Sequence, residues 1–211
     1  MYTVVDFEFN QAFDFGEGSP ETDPACRFEI IQIGAVRLDE DFNETDRFSV
    51  FIKPEIYTRL HPYVARMTGI SAAELEKADG FKKAYAAFRA FAGDSRIYCV
   101  WGNSDIRVLY RNLCYHGMIE GDIVAEYIDV QQIMARYLKY GRGRSIGLKN
   151  AADMLGIEEK LPFHNALCDA VYTAEIFKRI HGAGNGIRIF NSKHIPKRER
   201  KKEARENAGS K

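Results

Sequence analysis

Apolar and polar residues alternate from the start of the chain. In "VVDFEFN" (4–10), Val5, Phe7 and Phe9 alternate with Asp6, Glu8 and Asn10, the period of a β-strand. "FEIIQIGAVRL" (28–38) and "DRFSVFIKP" (46–54) are further strand patterns parted by a polar turn, and the three predict an antiparallel meander. The period then changes. In "MTGISAAELEKA", Ser71 followed three residues later by Glu74 is a capping box, so a helix begins just after Gly69. Phe81, Tyr85, Phe88 and Ala92 form one helical stripe, closed by Gly93. "RIYCVWG" (96–102) is a buried-strand run, and "SDIRVLYRNLCYHG" is the helix after it. "EYIDVQQIMARYLKYG" predicts a short strand running into a helix, and "SIGLKNAADMLGI" a further amphipathic segment. "HNALCDAVYTAEIFKRIHG" is a long last helix that Gly182 ends. The order gives an α/β domain: a mixed five-stranded sheet, three strands antiparallel and the others parallel, flanked by helices. It spans residues 1–187. In 188–211 the periodicity stops, and this basic segment reads as a flexible tail.

Composition narrows the class. The 211 residues are 45% hydrophobic and 12% aromatic, which supports a globular core and excludes disorder. No apolar run approaches the roughly 20 residues of a membrane span, so a soluble, cytoplasmic protein without membrane contact is expected. Cysteines 26, 99, 114 and 168 show no CxxC spacing and read as buried free thiols. The formal net charge of zero hides an asymmetry: residues 188–211 carry a net of +6 and the rest a net of −6.

The acids then become informative. Asp6 and Glu8 share one side of their strand, with Cα atoms roughly 7 Å apart. On a solvent face they are ordinary; in a cleft they repel and need a cation. Asp105 follows a strand and Gly102, where the chain can turn sharply at the C-terminal edge of a parallel sheet. It serves there either as a ligand or as a first-turn acid of the next helix. Asp169 shares a helical face with Ala166, Ala170, Thr173 and Ala174. Such a small face lets a helix approach a sheet closely, where an acid is desolvated and costly unless paired or metal-bound; turned to water, the same small residues are unremarkable. His164 lies five residues before Asp169, a rotation of roughly 140° on one helix. The two act together only if His164 sits on the loop before the helix, where Pro162 marks a boundary. The other histidines (61, 116, 181 and 194) read as structural.

Together, D-x-E near the N-terminus, an Asp after a mid-chain apolar strand, and H-x4-D near the end resemble the DEDDh 3′–5′ exonucleases. Asp6, Glu8, Asp105, His164 and Asp169 fill that pattern in order. "EIIQIGAV", "MTGI" and "WGNSD" extend the likeness over about residues 2–181. Its nearest look is to the Eri and KapD-like branch.

The resemblance implies a ribonuclease-H-like fold in which Asp6, Glu8, Asp105 and Asp169 hold two Mg²⁺ or Mn²⁺ ions, with His164 as general base. It implies a two-metal-ion exonuclease that hydrolyses single-stranded nucleic acid from the 3′ end, RNA before DNA, releasing nucleoside 5′-monophosphates. Phe9, Asn10, Met67, Thr68 and Trp101 are the expected substrate-binding residues, Asn10 standing where the family commonly has Thr. A core role for Trp101 stays open. A DNA proofreading or repair exonuclease, or an inert nucleic-acid-binding module on the same fold, are the alternatives. The basic "KYGRGRS" (139–145) and the tail offer phosphate contacts without sequence specificity.

Overall fold

A computed structural model of the chain describes residues 1–94, 97–118, 126–140, 145–184 and 186–189. Strands β1 (Tyr2–Asn10), β2 (Glu29–Leu38) and β3 (Glu44–Phe51) form the expected antiparallel meander. Helices α1 (Pro62–Thr68), α2 (Ala72–Glu76) and α3 (Phe81–Ala92) follow, then β4 (Ile97–Val100) and α4 (Ser104–Tyr115). Strand β5 (Glu126–Asp129) runs directly into α5 (Val130–Tyr137), whose first turn Asp129 caps by accepting the Gln132 N–H. Helices α6 (Leu148–Met154) and α7 (Ala166–Ile180) precede a last strand, β6 (Ile187–Ile189).

The sheet order is β3-β2-β1-β4-β5-β6, with β4 parallel to both β1 and β5. Among the described residues the sheet therefore has six strands, not five. The sixth is three residues long and pairs antiparallel with β5, too short to leave a periodic pattern, and the 187/188 boundary falls inside it. Helix α1 is a second addition: Pro62 opens it, His61 Nδ1 accepts the Tyr63 N–H, and Gly69 closes it at φ +73°. The helix after Gly69 starts at the predicted capping box, with Ser71 and Glu74 satisfying each other's backbone N–H groups. Residues 141–144 of the basic stretch and the tail from 190 lie outside the described residues.

The alternation in β1 decides what lies on each face. Val5 and Phe7 pack with Phe81, Tyr85 and Phe88 of α3 and with Ile106, Leu109 and Leu113 of α4. Val4 packs on the opposite face with Ile133 and Met134 of α5 and with Ala170, Ala174 and Phe177 of α7. Since side chains alternate, Asp6 and Glu8 share Val4's face, the one that α7 covers. All four cysteines are free thiols, Cys26 and Cys99 buried, Cys114 and Cys168 half-buried. Among the described residues no helix is long and apolar enough to cross a membrane.

Candidate active site

Each acid is placed by the element that carries it. Asp6 pairs with Gly34 and Glu8 with Gln32 across the β1–β2 ladder, and the register shifts just beyond Glu8. Gly34 is the reason α7 comes so close. A Cβ on it would be driven into the Ala166 carbonyl carbon and the Leu167 nitrogen, so the first turn of α7 rests on bare backbone. Gln32 fixes that turn in place: its Oε1 accepts the Ala166 N–H at 3.2 Å. Asn165 caps the helix, accepting the N–H groups of Leu167 and Cys168. Asp169, one turn in, is thereby carried to β1. Carboxylate oxygens of Asp6, Glu8 and Asp169 lie within 4.8 Å of one another.

Asp105 arrives by another route. β1 and β4 run parallel, so their C-terminal ends share one edge of the sheet. The chain turns at Gly102 (φ +89°) and delivers Asp105 into the first turn of α4, where it is 6% exposed. Asn103, the cap residue, makes no side-chain cap hydrogen bond.

The electrostatics report the crowding. Burial raises the Asp6 carboxyl well above the usual range, and the charges of Asp105, Asp169 and Glu8 add to it in that order. Glu8 is pushed up to about 8 by burial and by Asp169 and Asp105. Asp105 rises to about 7, through burial and Asp169 against a hydrogen bond from Ser104. Asp169 rises to about 6 by burial, opposed by the His164 N–H. Four carboxylates in mutual reach can hold protons or share divalent cations.

The donor set fits the second outcome. Asp169 Oδ1 is buried without a hydrogen-bond partner while Oδ2 accepts the His164 N–H at 3.2 Å. An acceptor left bare beside two other carboxylates is a ligand atom in want of a cation. All the donors are hard oxygens, which suit Mg²⁺ or Mn²⁺.

His164 lies on the loop before α7, exposed, at φ +64°. Its backbone N–H is tied to Asp169, and its charge lowers the Asp169 carboxyl, so His164 lies within electrostatic reach of that acid. Strain of this kind in a residue without glycine's freedom belongs where the surroundings enforce it.

The remaining predicted site residues fall differently. Asn10 is fully buried: Nδ2 donates to the carbonyls of Tyr57 (2.8 Å) and Arg59 (3.1 Å), and Oδ1 accepts the His61 N–H (2.9 Å). These bonds hold the 57–61 segment in place and occupy both ends of the Asn10 side chain. Thr68 spends its hydroxyl on α1, donating to the Val64 carbonyl and accepting the Ile70 N–H. Phe9 and Met67 are half-buried, Phe9 with its ring 6.3 Å from that of Phe28. Trp101 packs against the α5–α7 core, its Nε1 buried without a partner.

Gly34, Gln32 and Asn165 are site-building residues that the acid pattern did not single out. Their signals are present, a glycine inside a strand pattern and an Asn directly before an amphipathic run.

This fold has counterparts among known proteins. The RNase T model, described as exonuclease, matches residues 4–177. The chain belongs to the exonuclease family. The DEDDh pattern read in its sequence is the form of that family it carries, and the protein is a nuclease, a hydrolase of phosphodiester bonds. A search of curated proteins finds no match. Among solved structures, the nuclease domain of 3′hExo, a DEDDh family member bound to rAMP, is similar with a TM-score of 0.74 and 21% identity, over 90% of this chain and 96% of that one. A 3′-exonuclease in 3′-end-specific recognition of the histone mRNA stem-loop is similar at 0.71 and 22%, over 89% and 84%. S. pombe Pop2p in its Mg²⁺- and Mn²⁺-bound form is similar at 0.62 and 20%, over 86% and 82%.

Proposed function

We propose that this exonuclease removes nucleotides one at a time from the 3′ end of single-stranded nucleic acid, RNA before DNA, with two divalent ions. The observation that carries the reading is the convergence of Asp6, Glu8 and Asp169 within 4.8 Å, with Asp105 in electrostatic reach of all three. Asp6, Glu8 and Asp169 would hold one Mg²⁺ or Mn²⁺, and Asp6 with Asp105 the second. When bound, such a pair stabilises the attacking and leaving oxygens of an in-line displacement.

The chain's own groups do the rest. His164, exposed and held by its main chain to Asp169, takes the proton of the attacking water. An imidazole suits this because a ring nitrogen can take up a proton and release it again. The water oxygen bonds to phosphorus and the P–O3′ bond breaks. A nucleoside 5′-monophosphate leaves, and the shortened strand keeps a 3′ hydroxyl. Phe9 and Met67 offer apolar surfaces to the terminal base, on the wall that Asn10 supports. The preference for RNA draws support from 3′hExo with rAMP and from the histone mRNA 3′-exonuclease.

The test is a panel of 5′-labelled single-stranded RNA, single-stranded DNA and a mismatched primer terminus, with Mg²⁺, Mn²⁺ or EDTA. The reading expects a ladder shortening from the 3′ end, fastest on RNA, ending in 5′-monophosphates and abolished by EDTA. Cleavage confined to the mismatched DNA terminus would replace it with a proofreading role, and internal cuts would overturn the exonuclease direction.

A further inference from the structure

Beside the catalytic cluster, the surface presents aromatic rings and cations that the mechanism above does not use. Phe13 stands edge-on to Phe15 at 4.7 Å and to His61 at 4.6 Å between ring centroids, and the His61 ring is followed by that of Tyr63 at 6.5 Å. Arg59 lies over the Phe15 ring at 3.6 Å, and Arg66 over the Tyr63 ring at 5.6 Å. These rings are not core: Phe13 is 36% exposed and Tyr63 53%. Both arginines are exposed, and among the described residues neither has a carboxylate within ion-pair distance. The nearby loop acids are partly engaged elsewhere. Asp14 accepts from Gly16 N–H and the Ser19 hydroxyl, and Asp23 from Ala25 N–H, each inside its own turn.

The patch is also fastened to the catalytic strand. Asn10, two residues past Glu8, holds the Arg59 carbonyl and the His61 N–H. Its ladder partner Glu29 accepts the N–H groups of Glu55, Ile56 and Tyr57. Two buried polar side chains on β1 and β2 thus set the height of the patch relative to Asp6 and Glu8.

We infer that Phe13, Phe15, His61 and Tyr63, with Arg59 and Arg66, form a stacking platform for the unpaired nucleotides upstream of the 3′ end. This rests on the exonuclease reading and deepens it, by assigning where the body of the strand lies. Exposed ring faces take bases and guanidinium groups take phosphates, a combination that holds single strands with little regard to sequence. A duplex hides its base faces and gains nothing from it. The occupant is a single-stranded segment, and the platform makes affinity grow with substrate length.

The test is the KM of the full-length enzyme, with Mn²⁺, on single-stranded RNAs from two to ten nucleotides. For wild type, KM is expected to fall with length. The double variant Phe13→Ala, Tyr63→Ala is expected to lose about tenfold or more of that gain at ten nucleotides, whereas Tyr63→Phe keeps it. Arg66→Ala, an exposed change that also frees one face of the Tyr63 ring, is expected to flatten the salt dependence of KM for the ten-mer. A folded double variant with wild-type length dependence would overturn the platform while leaving the exonuclease reading standing. A wild-type enzyme that shortens none of these RNAs would remove both.

Discussion

Asp169 shows how much a single side chain can report. One of its oxygens is occupied by the His164 N–H and the other is buried and bare, a state that costs about 1–3 kcal/mol unless a ligand relieves it. His164, from its strained loop position, contributes its backbone to that acid and its ring to the proposed proton transfer. His164→Ala is therefore expected to lower kcat by about 10²–10⁴-fold while Mn²⁺ affinity changes little, as separate turnover and metal-binding measurements would show. Wild-type turnover in that variant would contradict the role. At this scale the sequence was legible for the acids, because a carboxylate at a fixed place in a strand or helix pattern keeps its meaning. It was not legible for Asn10. Alternation assigns a strand residue to a face, but it does not say that a distant loop, 57–61, will arrive there to take all its hydrogen bonds.

At the level of elements, the site depends on how closely α7 lies on β2. The small face of Ala166, Ala170, Thr173 and Ala174 is buried rather than turned to water, and Gly34 supplies the gap opposite its start. Gly34→Ala forces Cβ into backbone that cannot rotate aside, so α7 must lift. The expected cost is about 1–3 kcal/mol in urea denaturation. With Asp169 displaced, activity is expected to fall about 10²-fold. Gly80→Ala is the control, since an added Cβ there meets only the end of the Glu55 side chain; its activity is expected to stay near wild type. Equal, small effects of both changes would contradict this account of helix placement. Long periodic elements such as β1, β2, α3 and α7 could be read from sequence. The seven-residue α1 and three-residue β6 could not, because neither carries a capping box or an apolar run of the kind that gave away the equally short α2, β4 and β5.

For the molecule as a whole, the four acids set a balance between stability and function. In metal-free protein, burial raises Asp169 to about 6, while burial together with the charge of neighbouring acids raises Glu8 to about 8, Asp105 to about 7, and Asp6 in the same direction. A carboxyl whose folded pKa exceeds its unfolded value binds its proton more tightly when folded. That contribution is full below the unfolded pKa and is lost as pH rises through the folded one. Urea midpoints in EDTA are thus expected to fall between about pH 4 and about pH 8, and excess Mn²⁺ to restore stability most at the upper end. A profile that rises over this window, or no response to Mn²⁺, would contradict the picture. The central claim, that four acids from three separate elements of the chain converge to bind divalent cations, is tested most directly by calorimetric titration of Mn²⁺ into wild type and Asp169→Asn near pH 7.5. The account predicts saturable binding by wild type that the variant loses or weakens at least tenfold; the same isotherm for both proteins would contradict it.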